Sequence, residues 1–286
     1  MSFRTSSFTV GVTALVLALT VGVAPTARAA IPSPPSKALP AALDVKTPYQ
    51  AQVSCDPRPK PGVTAFGALM SARYKIGYKG TYRPCNSSTS EHYDSRALDW
   101  MLNVNNPTQK AIADSVVSWL SARGGVMARR FGISYIIWNH RMWREYAPER
   151  GWTAYTGSVP HTDHIHLSFS WDGAMKRTSW WTGRATTKVD LGPCRVYVGQ
   201  FAPLYTAPRT TACRNRLGTA PVSIYKVAVL GQFSAQIAGA QRALGVPASG
   251  WFRSSTFYKV AAYQSRARIP VTGALDKATW KRLTGR

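Results

Sequence analysis

Within Asp163–Ser170 (DHIHLSFS) polar and apolar residues alternate strictly from His164 onward. A strand period of two puts His164, His166 and Ser168 on one face, and turns Ile165, Leu167 and Phe169 toward a core. The run Ala97-Leu98-Asp99-Trp100-Met101-Leu102 reads the same way. Leu98, Trp100 and Leu102 point inward there, and Asp99 lies on the opposite face. Ser134–Trp138 (SYIIW) is too short and apolar for anything but a buried strand. Between these strands the period changes. Asn106 is a helix cap, Pro107 suits the first turn, and Gln109 stands where a capping box needs it. Ile112, Val116, Val117 and Leu120 then recur at helical spacing, and Gly124-Gly125 are expected to stop the helix. The pattern predicts an α+β domain with a central antiparallel sheet.

Toward the C-terminus the pattern repeats. Ser249-Gly250-Trp251-Phe252 followed by Thr256-Phe257 matches Thr272-Gly273-Ala274-Leu275 followed by Thr279-Trp280. Each glycine ends one element, and the Ser254 and Asp276 regions can cap the next helix. Ile237, Gln241 and Leu244 mark a helix ahead of the first copy, and Phe257, Val260, Ala261 and Gln264 mark one after it. About three short helices follow, an all-α C-terminal domain.

The chain has 286 residues, enough for about two domains. Its 45% hydrophobic content argues against a disordered chain. The net charge of +24 comes from 36 Lys and Arg against only 12 Asp and Glu, a shortage of acids rather than basic blocks. Such a protein seeks anions. The N-terminus selects among them. Thr9–Val23 is an apolar run, and the small residues Ala27 and Ala29 suit cleavage after Ala29. The run is short of the roughly 20 residues a membrane span needs. A signal peptide at 1–29 predicts a secreted, extracellular or wall-associated protein with no stable membrane insertion after cleavage. Export turns the charge away from nucleic acid and toward anionic wall polymers.

Four cysteines fit an exported protein. No Cys-x-x-Cys pair is present, so a thiolate metal site is not expected. The short loops favour Cys55–Cys85 and Cys194–Cys213 among the three pairings. The expected organisation is a signal peptide at 1–29, a Pro/Ala-rich linker at 30–53, the α+β domain at 54–182, a disulfide-tied connector at 183–222 and a helical domain at 223–286.

Four of the five histidines sit in two short motifs: Ser90-Glu91-His92 continuing to Asp99, and His161-Thr162-Asp163-His164-Ile165-His166. A loop running into a strand can bring His92 beside Asp99, and a neighbouring strand can add His166. Two imidazoles and a carboxylate with an open fourth position are the donor set of catalytic zinc. His140 lies outside both motifs and reads as structural or surface.

The C-terminal segment resembles the three-helix peptidoglycan-binding domain of secreted wall hydrolases. The resemblance is carried by Ala240-Gln241-Arg242-Ala243-Leu244-Gly245, the two glycine turns, Val260-Ala261-Ala262-Tyr263-Gln264 and Thr279-Trp280-Lys281-Arg282-Leu283. It implies peptidoglycan as partner. The histidine motifs resemble those of the zinc D-Ala-D-Ala carboxypeptidases (VanY-type) and of related lysostaphin-like and murein-endopeptidase enzymes, over roughly residues 54–172. That resemblance implies one Zn²⁺ on His92, Asp99 and His166. It implies His164 beside the reacting oxygen, and substrate contacts from Arg83 and Ser90. The general base falls to Asp163, where the family has Glu, or to His161. Ser95 stands where the family often has Gly, and if that turn needs a positive φ the serine costs about 1 kcal/mol without preventing binding. The expected function is a secreted zinc peptidase cutting peptidoglycan stem peptides or cross-links. The alternative is a non-catalytic wall-binding protein with a structural metal. A muramidase would need paired carboxylates across a cleft, which the few acids do not suggest.

Overall fold

The computed structural model of the chain describes residues 1–3, 5, 30–85, 88–221 and 225–285. The expected signal peptide lies almost wholly outside the described residues. Met1–Ala30 and Ile31–Arg286 separate as two units, and the described helices and strands lie in the second. Among the described residues no helix is long and apolar enough to cross a membrane.

The first helix, α1 (Pro61–Tyr74), starts on a proline and ends at Lys75 in the left-handed conformation. Then come β1 (Tyr78–Lys79), a 3-10 turn (Glu91–Asp94) and β2 (Ala97–Trp100). The long helix α2 (Pro107–Phe131) follows, and then β3 (Ile133–Trp138), β4 (Arg141–Arg144), β5 (Thr153–Ala154) and β6 (Ile165–Phe169). The six strands form one antiparallel sheet in the order β1-β2-β6-β3-β4-β5. The alternation fixes which side is wet. Leu98, Trp100, Ile136, Trp138, Ile165, Leu167 and Phe169 pack against α1 and α2 through Phe66, Met70, Val116, Leu120 and Phe131. The opposite face carries Asp99 and His166, which are register partners on adjacent strands.

Asn106 caps α2 as expected, accepting from the Thr108 and Gln109 amides. Gln109 reaches back to the Asn103 amide, not to Asn106, so the capping box is not closed. Gly124-Gly125 break the helix but do not end it. Ala122–Gly125 leave helical geometry, and a second helical segment carries on to Phe131. Its Phe131 is needed in the core, where it meets Phe66 edge-on.

The 30–53 segment is extended, in keeping with its prolines, but it is a packed strap and not a free linker. Ile31 and Leu39 lie against the core. Arg130 donates to the carbonyls of Pro40 and Ala42. Buried Asp44 accepts from the Ser179 and Thr186 amides, both at 2.9 Å. After β6 come two single-turn helices, α3 (Trp171–Ala174) and α4 (Ser179–Thr182). The connector at 183–222 is largely irregular and docked. Tyr205 stacks on Trp171 with centroids 4.7 Å apart, and the Ala202 amide donates to the Val53 carbonyl. Both expected disulfides form, Cys55–Cys85 and Cys194–Cys213.

The C-terminal domain consists of α5 (Ala235–Ala243), α6 (Ser254–Arg266) and α7 (Lys277–Thr284). Its internal repeat is a repeat of hydrogen bonds. Buried Gln241 donates to the Trp251 carbonyl and to Thr256 Oγ1, and accepts from the Gly250 amide. Gln264 does the same with the Ala274 carbonyl, Thr279 Oγ1 and the Gly273 amide. Each glutamine satisfies buried groups of its glycine turn that would otherwise destabilise it. Asp276 caps α7, whereas α6 starts at Arg253 with no side-chain cap. The fold is α+β with a helical C-terminal domain.

Candidate metal centre

The turn that bears His92 is built by its neighbours. Ser90 Oγ accepts the His92 amide and caps the 3-10 turn. This positioning role of Ser90 stands beside the substrate contact expected of it. Ser95 leaves the turn with φ at 58°, in the left-handed region. An L residue in this region costs about 1 kcal/mol. Ser95 Oγ offsets part of that by donating to the buried Asp56 carbonyl at 2.8 Å.

His92, Asp99 and His166 converge, all buried. His92 Nε2 stands 3.2 Å from Asp99 Oδ1 and 3.3 Å from His166 Nδ1. His166 Nδ1 stands 3.2 Å from Asp99 Oδ1. Donor atoms about 2.0–2.2 Å from one ion at tetrahedral angles lie about 3.3–3.6 Å apart. The three separations, 3.2, 3.2 and 3.3 Å, lie at or just under the short end of that range.

The hydrogen bonds on the far side of each ring decide what faces inward. His92 Nδ1 is 3.2 Å from the Thr81 carbonyl, which can only accept. Nδ1 of His92 therefore carries the proton, and Nε2 turns a bare lone pair to the centre. His166 Nε2 is 2.9 Å from Ser168 Oγ, and Ser168 in turn donates to Glu91 Oε2. The serine hydrogen is engaged, so His166 Nε2–H donates to Ser168, and Nδ1 is bare. Two imidazole lone pairs and a carboxylate oxygen then face one point. Such a set repels itself unless a cation sits among them, so the residues fit a divalent metal ion, with second-sphere partners holding each ring.

Glu91 anchors this outer sphere. It is buried and accepts from Tyr49 at 2.8 Å and from Tyr135, whose ring stacks on His166 at 5.5 Å. Burial pushes the Glu91 carboxyl up, but Arg96 and the two tyrosines outweigh it and keep it ionised. Glu91, Tyr135 and Tyr49 were not among the expected site residues. The signals were a carboxylate inside the first motif and a tyrosine in the SYIIW strand. Ser168 was expected on the histidine face.

The remaining expected residues line the opening. The Arg83 guanidinium bonds Asp99 Oδ2, and its side chain is 53% exposed, so it stands at the rim with free surface. His164 Nδ1 bonds Asp163 Oδ1 at 2.7 Å, and Nε2 lies 3.6 Å from Asp99 Oδ1 with no hydrogen-bond partner. Asp163 is 65% exposed and directed at His164, not at the centre. Its carboxyl is lowered by that hydrogen bond. His161, in the left-handed region at φ 56°, lies 4.8 Å from the His164 ring and 5.6 Å from the His166 ring. Burial, followed by the His166 and His164 charges, lowers it to about 4, so it is neutral at pH 7. His140 is exposed on the turn between β3 and β4, outside the cluster.

No curated protein and no solved structure matches the chain. Two family models do, each over part of it: residues 55–166 are similar to the family described as VldE, C-terminal domain, and residues 235–283 are similar to a putative peptidoglycan binding domain.

Proposed function

We propose that the chain is a zinc peptidase of the cell wall that hydrolyses amide bonds in peptidoglycan stem peptides or cross-links. The convergence of the two bare histidine nitrogens and Asp99 Oδ1 supports this reading above any other observation. The similarity of residues 235–283 to a peptidoglycan-binding domain supplies the polymer. Two cysteine pairs and an apolar N-terminal run agree with a protein outside the cytoplasm.

His92, Asp99 and His166 would hold the ion. Zinc so held supplies a Lewis acid for the scissile carbonyl and acidifies a water molecule. Asp163 fixes the His164 ring with Nδ1 as donor, which leaves Nε2 as the base at the edge of the centre. His164 Nε2 accepts the proton of the attacking water and delivers it to the leaving amine. Asp163 acts through His164, a role its shorter side chain fills by position. In this proposal Asp163, which shared the expected role of base with His161, orients His164 instead. Arg83 can turn its free donors to a substrate carboxylate.

Incubating purified peptidoglycan with the protein tests this. New amino groups that disappear on chelation and return with zinc support the reading, and fragment masses name the bond. New reducing ends would make it a glycosidase. Binding without any release by zinc-loaded protein would leave a wall-binding protein.

A further inference from the structure

The C-terminal domain is not a free tether but is seated on the rim of the metal centre. Cys55 and Cys85 pack with Val229 and Ala274. Tyr82 packs against the C-terminal core cluster, and Phe252 of that cluster lines one groove with it. Gly231, at φ +86°, comes so close to Pro84 that a Cβ would lie 2.7 Å from the proline Cβ. Only glycine fits that approach. Tyr82 and Pro84 are the two neighbours of Arg83, the residue bonded to Asp99. The seam therefore fixes the loop that borders the metal centre.

A groove of about 580 Å³ opens along this seam, between Tyr82 and Pro84 on one side and Trp251, Arg253, Ser254 and Ser255 on the other. Trp251 is 44% exposed, and it lies 5.1 Å from the ring of Phe233, which is 62% exposed. The two exposed rings together offer an apolar face on which a ligand can stack. The Arg253 guanidinium stands 5.9 Å from the indole. This combination matches a pyranose. The sugar's C–H face covers an aromatic ring, hydroxyls and an acetamide bond serine hydroxyls, and a guanidinium takes a carboxylate.

We propose that this interdomain groove binds the glycan strand of peptidoglycan, a chain of N-acetylated and carboxylate-bearing sugars, and leads it past Arg83 to the metal centre. The proposal rests on the peptidase reading only in taking peptidoglycan as the polymer. The wall-binding domain then forms one side of the substrate cleft.

The test is made on full-length metal-free protein carrying His166→Ala, so that binding is read without cleavage. Glycan strands stripped of stem peptides, and stem peptides alone, are titrated by calorimetry. Glycan binding is expected, with a loss of about tenfold or more in Trp251→Ala and in Arg253→Gln. Tyr258→Ala, which removes an exposed aromatic outside the groove, is expected to bind as the parent does. Unchanged melting temperatures confirm that these surface variants fold. Undiminished glycan binding by Trp251→Ala, or binding of stem peptides but not glycan, would overturn the proposal. A protein that binds glycan through Trp251 yet releases no amine when zinc-loaded would refute the peptidase reading alone.

Discussion

Ser168→Ala tests the lone-pair argument most sharply. Ser168 Oγ accepts the His166 Nε2 proton at 2.9 Å, which leaves Nδ1 bare. The variant removes that acceptor. In the metal-free state His166 has a remedy, because its proton can move to Nδ1 and face Asp99 Oδ1 at 3.2 Å. In the metal-bound state it has none, since Nδ1 is needed as a donor atom and Nε2–H stays buried without its partner. An unmade buried hydrogen bond costs about 1–3 kcal/mol, and here the cost falls on the bound form. Outer-sphere losses of this kind lower metal affinity about 10–100-fold, equivalent to about 1.4–2.7 kcal/mol. Competition for zinc against a chromophoric chelator at pH 7 measures it, and thermal melting of the metal-free protein supplies the control. The expected result is weaker zinc binding with a metal-free stability within about 1 kcal/mol of the parent. Unchanged zinc affinity, or an equal loss of stability with and without metal, would refute the tautomer assignment.

Other consequences are as direct. Replacing Cys55 and Cys85 by serine opens a loop with a separation of 30 residues. Chain entropy puts that loss at about 3.7 kcal/mol in denaturant unfolding, and a loss below about 1 kcal/mol would show the seam holding the loop unaided. Asp163→Ala and His164→Ala are expected to lower turnover together by little more than His164→Ala alone, because Asp163 acts through His164; additive losses in a double-mutant cycle would separate their roles. Buried Asp56 bonds Lys60 at 2.9 Å, and also Arg58. Burial pushes its carboxyl up, but the hydrogen bond from Arg58 and the Lys60 charge hold it below its usual 3.8. Its stabilisation is therefore present above about pH 4 and is lost as pH falls through the lower folded value. Asp56→Asn should cost roughly 3–5 kcal/mol at pH 7, and its melting temperature should approach that of the parent in acid; a constant difference down to pH 2 would contradict this.

The sheet face of the metal centre was legible because the period of a strand leaves little choice. Once Leu98 and Leu167 point to the core, Asp99 and His166 must point away, and antiparallel register sets them side by side. The Gln241–Gly250 and Gln264–Gly273 pairs share one spacing, and the matched hydrogen bonds give that spacing its reason. Strand order was not legible. β3 lies next to β6 although 26 residues separate them, so nothing local announces that Tyr135 stacks on His166 or that Glu91 gathers Tyr49 and Tyr135. The strap at 30–53 misled for a related reason. Its composition describes an extended backbone truthfully, but the partners that bind it, Arg130, Ser179 and Thr186 among them, lie far along the chain. The continuation of α2 past Gly124-Gly125 is likewise decided by core packing of Phe131 and not by the local break.

The central claim is that His92, Asp99 and His166 hold the ion on which amide hydrolysis depends. Zinc per chain and amine release from peptidoglycan, measured together on the parent and on His166→Ala, test it most directly. The account predicts one zinc per chain and amine release in the parent, and the loss of both in the variant. Full zinc occupancy in His166→Ala, or a zinc-loaded parent that binds peptidoglycan and releases no amine, would contradict it.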